Sequence, residues 1–211
     1  MISVWKKGVG AVCASVVGTM AWAGEGPGFY GGGSVGLSHY EDEEDKISAA
    51  LGTAGLTGTV DTDSNDLGWK LFGGYRFTPY FGAEVEYIDL GEESADIAIT
   101  APIIGSINAA AEVSGVSLTG TAGYPIVPQG YVFGKLGGFI WDSNTRGGAT
   151  LGGVPIGLGV DDNGVDLTFG LGATYELLEH VKVRAEWERF QSLGNDETDI
   201  DLFSGGIQYD F

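Results

Sequence analysis

In eight segments between Tyr30 and the last residue, apolar side chains recur at every second position, a period of two rather than 3.6. Val181, Val183, Ala185 and Trp187 fall on one face of a predicted strand, and Lys182, Arg184, Glu186 and Glu188 on the other. Val165 to Leu177 repeats the pattern, with Leu167, Phe169, Leu171 and Tyr175 opposite Asp166, Thr168, Thr174 and Glu176. The C-terminus sets Phe203, Ile207, Tyr209 and Phe211 against Ser204, Gln208 and Asp210. The same alternation marks Tyr30–Ser38, Leu67–Phe77, Phe81–Leu90, Val113–Tyr124 and Gly130–Asp142. Eight strands are predicted, each long enough to cross a bilayer at a tilt.

The connections alternate in length. Residues 78–80, 125–129 and 178–180 are read as short turns, and residues 41–66, 91–112, 143–162 and 191–199 as long loops. One plain rim and one elaborate rim belong to an up-and-down barrel, so the predicted fold is all-β, an eight-stranded antiparallel transmembrane β-barrel. Within the second loop, Ala95–Val113 is apolar enough to form a hairpin above the membrane or to meet a partner.

The first 23 residues read as an address. Lys6 and Lys7 precede an uncharged, mostly small or apolar stretch that ends in Ala21-Trp22-Ala23. A basic start, a short apolar run and a small-x-small site predict a signal peptide over 1–23, with the barrel domain over 24–211. The single cysteine, Cys13, falls inside this segment, so the exported part is expected to carry no disulfide.

Alternation alone leaves open whether the apolar face is a core or a lipid-facing wall. Charge chooses between them. The chain holds 10 bases and 29 acids, an acidic balance that argues against a nucleic-acid partner. Yet the polar strand faces are nearly balanced. Lys70, Arg76, Lys135, Lys182 and Arg184 face Glu84, Glu86, Asp166, Glu176, Glu186 and Glu188, whereas the remainder of the exported chain holds three bases and 23 acids. A narrow lumen demands such balance, because a charge enclosed without a partner loses hydration uncompensated. These eleven residues are therefore expected to form a lumen charge network, with lipid outside. Aromatic residues fall in two bands, as at the two interfaces of a bilayer. Trp69, Trp187 and Tyr209 are expected at the membrane interface, with Arg189 placed to meet lipopolysaccharide phosphate.

With signal, strands and terminus in place, the chain resembles the OmpA-type eight-stranded outer-membrane β-barrel family. Gly28-Phe-Tyr-Gly-Gly-Gly-Ser-Val-Gly36 resembles its first strand, Trp69 to Gly91 its second and third, Val183 to Phe190 its seventh and Gly206 to Phe211 its last. The resemblance implies the outer membrane of a Gram-negative bacterium. It further implies that Phe211 is the signal read by the barrel-assembly machinery. It covers the barrel alone, and the periplasmic peptidoglycan-binding domain of longer members is not expected.

Candidate chemistry is sparse. His39, with Asp89 and Ser143 or Ser38, imitates the rim constellation of lipid-modifying barrels, but no motif ties these residues together, and His180 falls in a short turn. Glu41–Asp45 and Asp61–Asp66 suggest divalent cations. The second starts like a calcium loop, but Asp66 stands where glycine is needed and Phe72 where the closing glutamate belongs. No metal, no cofactor and no enzymatic activity are expected. The expected role is structural or surface interaction, with the lumen plugged by its charges. The alternative is a narrow porin-like channel, with Gly32, Gly36, Gly74, Gly137, Gly170, Gly172 and Gly206 leaving a water path or else serving strand bending. Expected partners are outer-membrane lipid and lipopolysaccharide, the assembly machinery by resemblance, and a surface ligand that no residue pattern names.

Overall fold

Strands that are apolar on one face and polar on the other must close on themselves when lipid lies outside, since an open edge in hydrocarbon leaves backbone groups unbonded. The computed structural model, which describes residues 27–40, 52–53, 55, 57–63, 65–101, 105–151, 154–193 and 198–211, is such a closed barrel. The signal segment 1–23 and the acidic tract 41–45 lie outside the described residues. The strands are β1 (Gly28–Tyr40), β2 (Thr57–Asp63), β3 (Asn65–Arg76), β4 (Phe81–Ala101), β5 (Gly105–Val127), β6 (Gly130–Leu151), β7 (Val154–Leu178), β8 (Val181–Leu193) and β9 (Thr198–Asp210).

Every pairing is antiparallel between neighbours, and β1 pairs β9 to close the ring. Eight staves result, because β2 continues the line of β3 along the upper part of β4. The last residue completes the seam: Phe211 N–H donates to the Phe29 carbonyl at 2.9 Å.

The staves differ in height. β1, β8 and β9 have 13 residues each, but β4, β5, β6 and β7 have 21, 23, 22 and 25. About 9–11 residues cross a bilayer. Residues 91–112 and 143–162, read from the sequence as loops, are thus mostly strand, and Ala95–Val113 belongs to the β4–β5 hairpin. The period-two contrast fades there for two reasons. The register shifts between Asp89 and Glu92, where Gly91 adopts a φ of +80°. Such a bulge exchanges the two faces. Beyond it, both faces mix glycine, alanine and serine with aliphatic and charged residues. The result is a sheet standing above the membrane on one side of the barrel, with Ile99 and Ala149 buried on its inner face and Glu92, Asp96, Asn108 and Glu112 exposed on its outer face.

Outward positions within the bilayer are apolar and exposed, among them Val35, Leu71, Val85, Leu118, Leu136, Ile140, Leu171 and Ile207. The opposite parity fills the lumen. Inward glycines and inward rings alternate between neighbouring strands. A Cβ on Gly32 would meet the Phe72 ring, one on Gly74 the Tyr30 ring, and one on Gly172 the Phe133 ring. Gly115 stands under Phe139 and Gly164 under Trp141 in the same way. On Gly36, Gly137, Gly170 and Gly206 a Cβ would instead meet the backbone of the adjoining strand. Lumen glycines therefore admit aromatic rings and close strand approach, which is how the interior of a narrow barrel is filled.

Candidate functional site

The most highly organised part of the described residues is the lumen. Inward residues climb each stave in order: Lys182, Arg184, Glu186, Glu188, Phe190 on β8; Glu84, Glu86, Ile88, Leu90 on β4; Gln208, Ser204, Leu202, Ile200 on β9. Level for level, these make a charged lower half and an apolar upper half.

Arg184 is the centre of the lower cluster. Its guanidinium meets Glu84 through two parallel bonds of 2.7 and 2.8 Å and reaches Glu186 at 2.7 Å. Its carbon lies 4.1 Å from the Phe72 ring centroid and 4.6 Å from that of Phe133, so the cation is held between two aromatic faces. One level higher, Lys70 and Lys135 share three carboxylates. Lys70 Nζ lies 3.1 Å from Glu86, 2.6 Å from Glu186 and 3.1 Å from Glu188. Lys135 Nζ lies 2.8, 3.2 and 2.7 Å from the same three. The Ser117 hydroxyl donates to Glu86 and the Thr168 hydroxyl to Glu188. None of these charged side chains exceeds 2% exposure, and buried charge is tolerated only with this density of partners.

A third pairing sits at the lower mouth, where Lys182 meets Asp210 at 2.8 Å and Arg76 approaches the same carboxylate at 3.6 Å. Arg76 also lies over the rings of Tyr30 and Tyr131. Five cations thus face five carboxylates: Glu84, Glu86, Glu186, Glu188 and Asp210. Asp210 was not among the residues assigned to the network from sequence, although it has the inward parity of Gln208. Two that were assigned stand apart. Asp166 accepts the Trp141 indole N–H at 2.7 Å, and Glu176 is opposite Lys182 in the register but forms no ion pair among the described residues. Glu176 lies beside Lys182, whose ammonium is bound by Asp210, and Asp166 lies higher, at the level of Phe139 and Trp141, above the cations.

Above the ions, Ile88, Leu90, Val113, Phe139, Trp141, Phe190, Ile200 and Leu202 form one buried apolar cluster across the lumen. Phe139 and Phe190 meet with centroids 4.6 Å apart. Of this layer only Trp141 is legible as inward from the sequence, because the other side chains resemble a lipid-facing wall. The usable signal is that Ile88, Leu90 and Phe190 continue the parity of Glu86 and Glu188.

The carboxylates of Glu84, Glu86 and Glu186 lie close enough together to share an ion, but Lys70, Lys135 and Arg184 nitrogens already occupy the space between them. The calcium-like run does not form a loop, since Thr57–Asp63 is a strand and the Asp66 carboxylate accepts the Glu92 N–H. The strand register does not bring His39 beside Asp89 or Ser143. His39 neighbours Asn65 and Asp201, Asp89 neighbours Trp69 and Ser114, and Ser143 neighbours Val113 and Asp162. The Ser38 hydroxyl donates to the Leu90 carbonyl.

On the outer wall, Trp69 packs against Tyr87 with centroids 5.6 Å apart, and Tyr209 against Phe211 at 5.0 Å. Trp187 and Arg189 both donate to Asp201, at 2.9 and 2.8 Å, and Arg189 further approaches Asp199 at 3.6 Å. The Arg189 charge is therefore matched within the protein.

Comparison with known proteins agrees with this architecture. Residues 26–211 match the family described as the OmpA-like transmembrane domain. Outer membrane protein A of Shigella flexneri is 31% identical over 191 residues, covering 87% of this chain and 48% of that protein. Outer membrane protein A of Yersinia pseudotuberculosis is 30% identical over 215 residues, covering 98% and 56%. The chain thus spans about half the length of the curated relatives it matches. Among solved structures, the outer membrane protein OprG of Pseudomonas aeruginosa is 17% identical with a TM-score of 0.49, covering 88% of this chain and 96% of that one. Ail of Yersinia pestis, solved with the heparin analogue sucrose octasulfate, is 14% identical with a TM-score of 0.48, covering 87% and 99%. By its sequence match over the whole barrel, the chain belongs to the OmpA-like transmembrane domain family.

Proposed function

We propose that this outer-membrane barrel is a sealed scaffold, and that its work is structural and surface-interactive rather than conductive. One observation carries the reading: an apolar layer from Ile88 to Leu202 crosses the lumen directly above an ion cluster in which every charged side chain meets one of opposite sign. An ion entering from either end meets a dry constriction or a set of carboxylates and ammonium groups that already satisfy one another. The tall side of the barrel, by contrast, presents a broad polar sheet to the exterior. Reconstituted in a planar bilayer, after the heat-dependent gel shift of a folded barrel is verified, the protein is expected to be electrically silent. Discrete openings that scale with salt would overturn this reading in favour of a narrow porin-like channel.

The membrane partners follow from the outer wall. Trp69, Trp187 and Tyr209 anchor the barrel at the two interfaces with lipid and lipopolysaccharide, while the Arg189 charge is taken up by Asp201 and Asp199. Phe211, 64% exposed at the seam, is the group offered to the assembly machinery. A Phe211→Ala variant is expected to refold in detergent as the parent does but to accumulate in the outer membrane several-fold less. Equal accumulation would remove that role.

A further inference from the structure

The taller staves leave an open strand edge above the membrane. β8 pairs β7 only from Thr168 downward, at Thr168↔Phe190, whereas β6 follows β7 up to Val154. Among the described residues, Val154–Leu167 is therefore bonded on one side alone. Pro155 fixes which groups are free. A proline in a strand sits where its missing N–H would have faced away from the bonded neighbour. The register with β6 runs without a shift from Tyr175 to Val154, so residues of the same parity as Pro155 turn their backbone N–H and C=O outward from the sheet edge. Gly157, Gly159, Asp161, Asn163 and Val165 are the residues concerned, and all five are exposed; of their outward N–H groups, that of Asn163 donates to the Asp162 carboxylate at 2.9 Å.

Open edges are normally guarded against self-pairing, and this one carries Pro155 near its tip and Asp161 and Asp162 at its middle. The surroundings have the same sign. Arg146 is the only base within 57–66, 91–112 and 142–167, which also hold Asp96, Glu112 and Asp142. Two copies meeting edge to edge would bring their acidic sheets together. The arrangement rejects a second copy and accepts an extended strand of opposite charge.

We infer that the β7 edge from Gly157 to Val165 is a docking site for an extended, lysine- or arginine-bearing segment of an extracellular protein, added as an extra strand with its cations against Asp161 and the acidic sheet. Main-chain bonds supply affinity in this mode, and the alternating side chains supply selection. The inference rests on the surface-interaction reading given above and names the class of partner for it.

The test uses the refolded barrel in zwitterionic detergent and two fluorescent synthetic peptides, one alternating lysine with valine and one alternating glutamate with valine. The lysine peptide is expected to bind, by anisotropy, and the glutamate peptide is not. Gly157→Pro combined with Gly159→Pro removes two outward donors and is expected to weaken binding on the order of tenfold or more, at about 1 kcal/mol per bond. Asp161→Asn is expected to weaken it by about fivefold, the upper range for an exposed ion pair. The gel shift verifies that each variant folds. As an independent readout, amides between Ile156 and Val165 should gain hydrogen-exchange protection with the lysine peptide. Equal binding by the proline variant would overturn the edge in favour of diffuse attraction. Self-association of the parent that the proline variant prevents would assign the edge to a second copy and overturn the inference. Failure of both peptides to bind overturns it outright, while the sealed-scaffold reading stands or falls separately on conductance.

Discussion

Replacing Arg184 with methionine is expected to lower the unfolding free energy of the barrel by about 3–5 kcal/mol, the range for breaking one side of a buried ion pair. The guanidinium is 2% exposed and forms the parallel bonds to Glu84 and the bond to Glu186. Methionine fills much of the volume between Phe72 and Phe133 but donates nothing, so the Glu84 carboxylate is left enclosed without its cation, while Glu186 keeps Lys70 and Lys135. Urea unfolding from phospholipid vesicles, followed by tryptophan fluorescence, measures the loss. Combining Arg184→Met with Glu84→Gln should recover a substantial part, because the second change removes the stranded charge. A midpoint and slope equal to the parent's for Arg184→Met would show that the cluster contributes packing but no electrostatic stability. The double variant separates the two: additive losses would mean that the residues act independently despite the 2.7 Å bond.

The second large effect concerns two neighbouring glycines. Gly137→Ala is expected to cost about 3 kcal/mol, the top of the range for overpacking, and Gly138→Ala to stay within about 0.5 kcal/mol of the parent. A methyl on Gly137 points inward, onto the Leu118 carbonyl and within 2.7 Å of the Thr119 Cα. Those are backbone atoms of the adjoining stave and cannot rotate aside. On Gly138 the same methyl points to lipid, with its nearest neighbours 3.9 Å away in ordinary contact. The same unfolding measurement decides the matter, and equal effects at the two positions would contradict the assignment of inward and outward faces. Composition cannot produce this contrast, since the two residues differ only in parity.

Parity was the part most legible in the sequence. Val181–Glu188 alternates so cleanly that its two faces can be assigned by reading alone, and the near balance of charge on the polar faces selects lipid for the other. What could not be read is what depends on height and on the neighbouring strand. Whether Asp166 or Asp210 joins the ion cluster depends on the stagger between staves, which no single strand encodes. The apolar layer was missed because Ile88, Leu90 and Phe190 look like wall residues unless their parity is followed past Glu86 and Glu188. The pairing of Tyr30 with Gly74, or Phe133 with Gly172, requires the register across two strands. Above the bilayer, the bulge at Gly91 reverses the faces, and a pattern counted from below goes out of phase.

The seam sets a schedule for folding. β1 and β9 are the strands farthest apart in the order of the chain, yet they pair across the closure, with Tyr30 opposite Asp210 and Phe211 bonded to Phe29. No hairpin between consecutive strands can stand in for that contact, so the barrel stays an open sheet until β9 has paired with β1. Before then, the lumen charges of β8 and β4 have no shared interior: Arg184 cannot meet Glu84 while the ring is open. Loop-closure entropy makes such a distant pairing slow. The chain therefore commits late and in one step, and the interval before closure is when proteases and competing strands have their access.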